Sequence, residues 1–253
     1  MNQSVHFIFL IAYAALSYLY FVERNFTGAL YFWLVLLITS TLLQRSRPQT
    51  PLLLLIGSCF CFLNLIHKLS PFLRWPLDFF LTALFGFAVL RFVFRSPAAK
   101  LKWSFVFSKW EWFSILAINI PALFVLIFYY RMNPEVANMW PIPKLPLWST
   151  PFIIILIAAV NGLREEIFYR GLLQPASSKR SPVWFTIALQ MILFGFLHFT
   201  NAFPQGWTGV AMTAVWGGAI ATQFQIFKSI SLAWVTHAIA DAVMFSIIII
   251  TKA

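Results

Sequence analysis

Long apolar blocks separated by short polar breaks fill this chain from end to end. They fall near 5–21, 28–43, 51–66, 77–94, 112–130, 149–174, 182–199, 207–225 and 229–250. A helix needs roughly 20 residues to cross a bilayer, so the pattern predicts eight or nine transmembrane helices. The blocks at 28–43 and 51–66 are short, and one of them is expected to be tilted or partial. The segment 132–148, MNPEVANMWPIPKLPLW, breaks the pattern with four prolines and two tryptophans. Proline removes a backbone donor and clashes with the preceding turn, so this stretch is expected to be an interfacial linker. It divides the chain into N-terminal transmembrane helices (1–131) and a C-terminal four-helix core (149–253). No internal repeat is visible.

Composition agrees. Of 253 residues, 61% are hydrophobic and 10% charged. A soluble domain of this size could not hide so much apolar surface, so the fold class is all-α, a polytopic membrane protein in a lipid bilayer. The net charge of +11 does not imply nucleic acid, because the basic residues lie in short loops between apolar blocks. With the N-terminus inside, the inner side carries twelve Lys and Arg and the outer side six; without Arg164 and Arg170, which fall within a block, the count is ten to six. That asymmetry favours an inside N-terminus. The N-terminus lacks a basic leader and an A-x-A site, so the first block is expected to stay as a span. Cys59 and Cys61 are expected to be two small buried residues rather than a disulfide framework.

Against this background the stretch NGLREEIFYRGLL, 161–173, stands out. The apolar run Pro151–Val160 rises only about 15 Å, half of a hydrocarbon core of about 30 Å. The helix must therefore continue through Glu165 and Glu166 to the polar break at Ser177-Ser178-Lys179-Arg180. The next helix is expected to start with Ser181 as N-cap and Pro182 at its first position. Two carboxylates at mid-depth are costly and need partners. Arg170 follows Glu166 by four residues and shares its face, while Glu165 points about 100° away, toward the face of Asn161, Phe168 and Leu172. Glu166 is thus expected to be tied down and Glu165 free. An ion-pair staple between helices would explain the same residues.

Other polar residues change that weighing. His198 follows Phe194 by four residues, and His237 precedes Asp241 by four, so each pair shares a helix face. Three of four consecutive helices then carry Glu165, Glu166, His198, His237 and Asp241. Helices joined by short loops pack as neighbours, so these groups are expected to converge. One depth disagrees: His198, roughly 24 Å along its helix, is expected to lie further out than Glu165 and His237.

In these residues the chain resembles the CAAX-protease and bacteriocin-processing family of intramembrane glutamic endopeptidases. The family motifs are E-E-x-x-x-R, F-x-x-x-H and H-x-x-x-N. Here they read Glu165-Glu166-Ile167-Phe168-Tyr169-Arg170, Phe194-Gly195-Phe196-Leu197-His198 and His237-Ala238-Ile239-Ala240-Asp241. The resemblance covers about 150–250. It implies hydrolysis of a peptide bond in a membrane-associated protein or peptide substrate, in a prokaryotic plasma membrane. It implies that Glu165, assisted by His198, activates water, that His237 and residue 241 stabilise the oxyanion, and that Glu166 and Arg170 support the site. Asp241 departs from the family's Asn, and an ionised carboxylate cannot donate a hydrogen bond. Either Asp241 holds a proton, or it orients His237. No cofactor is expected; the alternative is zinc on Glu165, His198, His237 and Asp241, although no H-E-x-x-H spacing is present. Two other functions use the same residues. One is a non-proteolytic scaffold or immunity protein of this fold, and the other is a proton-coupled transporter.

Overall fold

The computed structural model describes residues 3–42, 49–69, 77–94, 102–135, 146, 148–200 and 203–250. Among them the chain is all-α, with nine helices and no strand. Helix α1 spans Gln3–Val22, its last five residues as a wide π turn. Then come α2 (Phe26–Leu42), α3 (Thr50–Leu69) and α4 (Leu77–Ala88, prolonged by a π turn over Val89–Val93). Helix α5 spans Lys109–Met132. Helix α6 runs Thr150–Glu166, continues as a π stretch over Ile167–Leu173, and ends with Gln174–Ser178. Helices α7 (Val183–Leu197), α8 (Gly206–Phe227) and α9 (Ile230–Ile250) complete the chain.

Each apolar block thus became one helix. Five of them, α1, α3, α5, α8 and α9, are long and apolar enough to cross a membrane, while α2 and α7 are shorter apolar helices. The chain is a multi-pass membrane protein of all-α fold. The block at 51–66 extends to a 20-residue helix and the one at 28–43 stays shorter. The proline-rich stretch lies largely outside the described residues, which omit 136–145 and 147.

Local signals set the ends. At α5, Ser108 Oγ accepts from the Glu111 N–H and Glu111 returns a bond to the Ser108 N–H, a reciprocal cap that satisfies two otherwise orphan donors. Helix α7 begins one residue later than the pattern predicts, with Pro182 in the cap position. Ser181 does not cap it; its Oγ accepts from Gln49 Nε2 at 2.9 Å. Helix α8 stops at Lys228, in the left-handed conformation at φ 54°.

The apolar core passes through both halves of the sequence. Tyr13 and Leu16 of α1, Leu53 and Cys59 of α3, and Phe79 of α4 share one buried cluster with Phe168 and Leu172 of α6 and Phe185 and Leu189 of α7. A second cluster joins Leu126 and Tyr129 of α5 to Ile154 and Ala158 of α6 and to Met244 and Phe245 of α9. Helix α7 packs along α8, and α9 along α6. Small residues permit this: a Cβ on Gly162 would lie 3.3 Å from the Ala238 N–H nitrogen and 3.4 Å from His237 Cβ. Outward, α5 presents Trp112, Phe113, Leu116, Ile120, Phe124 and Phe128, an apolar face suited to lipid. Cys59 is buried as expected, but Cys61, two residues on and so on another face of α3, is exposed.

Candidate active site

Helix α6 carries most of the charge. Its α-helical part ends on Glu166, and the π stretch beginning at Ile167 widens the next turns. Such wide turns are uncommon and concentrate at functional sites. Arg170 nonetheless reaches back to Glu166, its Nη1 donating to Oε1 at 3.0 Å. Both side chains are completely buried. The other Arg170 fork donates from Nη2 to the Gly217 carbonyl of α8 at 2.9 Å. One turn on, Gln174 Nε2 donates to the Ala221 carbonyl at 2.8 Å. The expected pairing of Glu166 with Arg170 is therefore observed, and it also fastens α6 to α8.

His237, on α9, faces three carboxylates. Its Nδ1 lies 2.7 Å from Glu166 Oε1. Its Nε2 lies 3.7 Å from Glu165 Oε2 and 3.6 Å from Asp241 Oδ2. The first is a direct hydrogen bond. The other two exceed hydrogen-bonding distance but lie within ion-pair range. Trp216 of α8 meets the His237 ring edge-on at 4.7 Å and Phe194 of α7 meets it at 6.0 Å.

Glu165, expected from its position on the helix to be free, is instead held by a neighbour. Arg164 Nη2 donates to its Oε1 at 3.1 Å. The same guanidinium donates from Nη1 to Asp78 Oδ1 at 2.8 Å and from Nε to Asn161 Oδ1 at 3.0 Å. It also stacks over Phe79 at 4.8 Å. Asn161 Nδ2 in turn donates to Asp241 Oδ2 at 2.9 Å. Asp78 lies in the first turn of α4, where its Oδ1 accepts from the Phe79 N–H, and His67 of α3 lies 3.3 Å from its Oδ2. Sequence reasoning overlooked the Asp78–Arg164–Asn161 chain. Arginine and aspartate inside apolar blocks each demand a counter-charge, and that demand was the available signal.

His198 follows the last residue of α7, with its ring 5.1 Å from that of Phe194. Among the described residues no other side chain hydrogen-bonds to its ring, which lies beside the backbone of Phe203 and Pro204. The expected difference in depth does not keep His198 away from Glu165 and His237. Glu165 and His198 line one cavity of about 1360 Å³, together with Asn161, Arg164, His237 and Asp241. Tyr20, Leu63, Asp78, Ile118, Pro121 and Met244 also line it, so its walls come from both ends of the chain. Glu166 and Arg170 stand behind the cavity wall.

As to metal, among the described residues no group of three or more His, Cys, Asp and Glu side chains is placed to hold an ion. The arrangement is one of acids, imidazoles and donor side chains at an apolar cavity, suited to moving protons and to stabilising developing negative charge.

Compared with known families, residues 146–243 match the model of the Rce1-like family, described as type II CAAX prenyl endopeptidase Rce1-like. No curated protein and no solved structure matches the chain. The match takes in Glu165-Glu166, Arg170, Phe194, His198, His237 and Asp241, the residues that carry the motifs. Residues 146–243, under two fifths of the chain, thus match the Rce1-like family model across all three motifs.

Proposed function

We propose that the protein is an intramembrane endopeptidase, acting in a prokaryotic plasma membrane, that hydrolyses a peptide bond of a membrane-associated protein or peptide with a glutamate-activated water. The observation that supports this reading is the common cavity. Glu165, His198, His237 and Asp241 line it, and its mainly apolar wall suits a segment drawn from the bilayer. Glu165 takes a proton from water, with His198 assisting from the end of α7. The hydroxyl oxygen bonds to the scissile carbonyl carbon, and the carbonyl electron pair moves onto its oxygen. His237 already offers Nδ1 to Glu166, so a second proton on Nε2 makes that nitrogen the donor to the oxyanion. Asp241 flanks the same nitrogen, either as a protonated second donor or as the carboxylate that orients the ring. Collapse breaks the carbon–nitrogen bond, and the leaving nitrogen takes the proton held by Glu165. No step requires a metal ion.

The test is co-expression with candidate membrane-anchored precursors, followed by assay of the purified protein in liposomes. The wild type is expected to cleave, with or without a chelator. Glu165→Gln keeps the side-chain shape but cannot accept a proton, and is expected to lose at least about a hundredfold while remaining folded and inserted. Retained cleavage by Glu165→Gln would sink the glutamate mechanism. Loss of wild-type activity on chelation, restored by zinc, would replace it with a metal mechanism.

A further inference from the structure

We infer that Arg164 is a positioning residue for the proposed hydrolysis, held by Asp78 from the N-terminal helices, and that it sets both carboxylates that flank His237. This rests on the reading of Glu165 and His237 given above. The guanidinium uses its planar fork in three directions. Nη2 holds Glu165 Oε1, which leaves Oε2 as the oxygen facing His237 Nε2. Nε holds Asn161 Oδ1, and the amide nitrogen of Asn161 holds Asp241 Oδ2. Nη1 is anchored on Asp78 Oδ1 at 2.8 Å, and Phe79 supports the flat face. One cation thus fixes Glu165 directly and Asp241 through one amide, and the two acids end at nearly equal distances, 3.7 and 3.6 Å, from the same imidazole nitrogen.

Arginine is suited to this task and lysine is not. Its five donors lie in a fixed plane, whereas an ammonium is a point charge on a flexible stem. Arg164 and Asp78 are each less than a tenth exposed, so the pair has little bulk water to fall back on. Arg164 is spent on three protein partners, and its part in the reaction is to act through Glu165 and Asp241 rather than on substrate.

The experiment uses the full-length chain in two arms. In the first, cleavage is measured for Asp78→Asn, Asp78→Glu, Arg164→Lys and the double variant Asp78→Asn/Arg164→Lys. Arg164→Lys is expected to lower kcat about a hundredfold, the cost of a misplacement of about 1 Å, with KM within about twofold of wild type. Asp78→Asn is expected to lower kcat about tenfold, Asp78→Glu to restore most of it, and the double variant to be no worse than Arg164→Lys alone. A rise in KM with kcat unchanged would make Asp78 or Arg164 a substrate contact and overturn the inference, as would additive losses. If Asp78→Asn is not recovered folded, the kcat and KM of Arg164→Lys decide the point. The second arm needs no substrate. It compares the shift in unfolding temperature caused by Glu165→Gln in the wild type with that in Asp78→Asn. A shared brace predicts a smaller shift in the variant, and equal shifts would mean that Asp78 and Glu165 are not coupled. A wild type that cleaves nothing tells against the hydrolysis itself, while the thermal arm still reads the brace.

Discussion

Arg170 is fully buried, with one fork on Glu166 and the other on the Gly217 carbonyl. Removing one partner of such a pair strands the other charge in a dry interior, at a cost of about 3–5 kcal/mol. Arg170→Ala is therefore expected to lower yield and unfolding temperature as well as cleavage. Arg170→Lys, which keeps the charge but loses the planar fork, is expected to lose less stability. Thermal unfolding in detergent, set beside cleavage, reads both. An Arg170→Ala protein as stable as wild type but inactive would move Arg170 into the reaction itself. The pairing was legible in the sequence because Glu166 and Arg170 are four residues apart on one helix, where spacing alone dictates contact. The partner of Arg164 was not. Asp78 lies 86 residues away, and no periodicity relates positions on different helices. The sequence shows that an arginine in an apolar block needs an acid; it does not show which one.

At the scale of elements, His198 and Pro204, both in the connection between α7 and α8, pack closely against the start of α8. Gly209, on the first turn of α8, has no room for a side chain: a Cβ there would lie 2.1 Å from the Pro204 carbonyl oxygen and 3.5 Å from that of His198. Gly209→Ala must push the loop away, an overpacking cost of about 1–3 kcal/mol, and should displace the His198 ring from the cavity. The expected result is a moderate drop in unfolding temperature with a larger drop in kcat, checked by calorimetry and cleavage of one substrate. Unchanged cleavage would show that the ring tolerates movement of its loop. The apolar blocks predicted eight or nine helices, and nine stand among the described residues, because hydrophobic length is a property of each segment alone. The wide turn over Ile167–Leu173 was not foreseeable, since α and π turns place the same apolar side chains in similar surroundings.

Across the whole molecule, the matched region and the N-terminal helices share one interior. Tyr13 packs on Phe185, Phe79 on Phe168 and Tyr169, and a Cβ on Gly86 of α4 would meet the Leu172 side chain at 2.4 Å. Residues 146–253 expressed alone would expose these faces and leave Arg164 without Asp78. The fragment is expected to aggregate on extraction and to cleave nothing, which size-exclusion chromatography in detergent and the liposome assay would show. A monodisperse, active fragment would reduce the N-terminal helices to a membrane anchor. Which apolar helices touch which could not be read from the chain, because their lipid-facing and protein-facing sides are built from the same residues. The ion pair between α4 and α6 also has a consequence for descent. Without Asp78, Arg164 keeps only Glu165 as a counter-charge and loses its tie to the N-terminal helices; without Arg164, Asp78 keeps only His67. In lineages that keep this arrangement, the two positions are bound to change together or not at all, so the ancestry of the N-terminal helices is tied to that of the domain they cover.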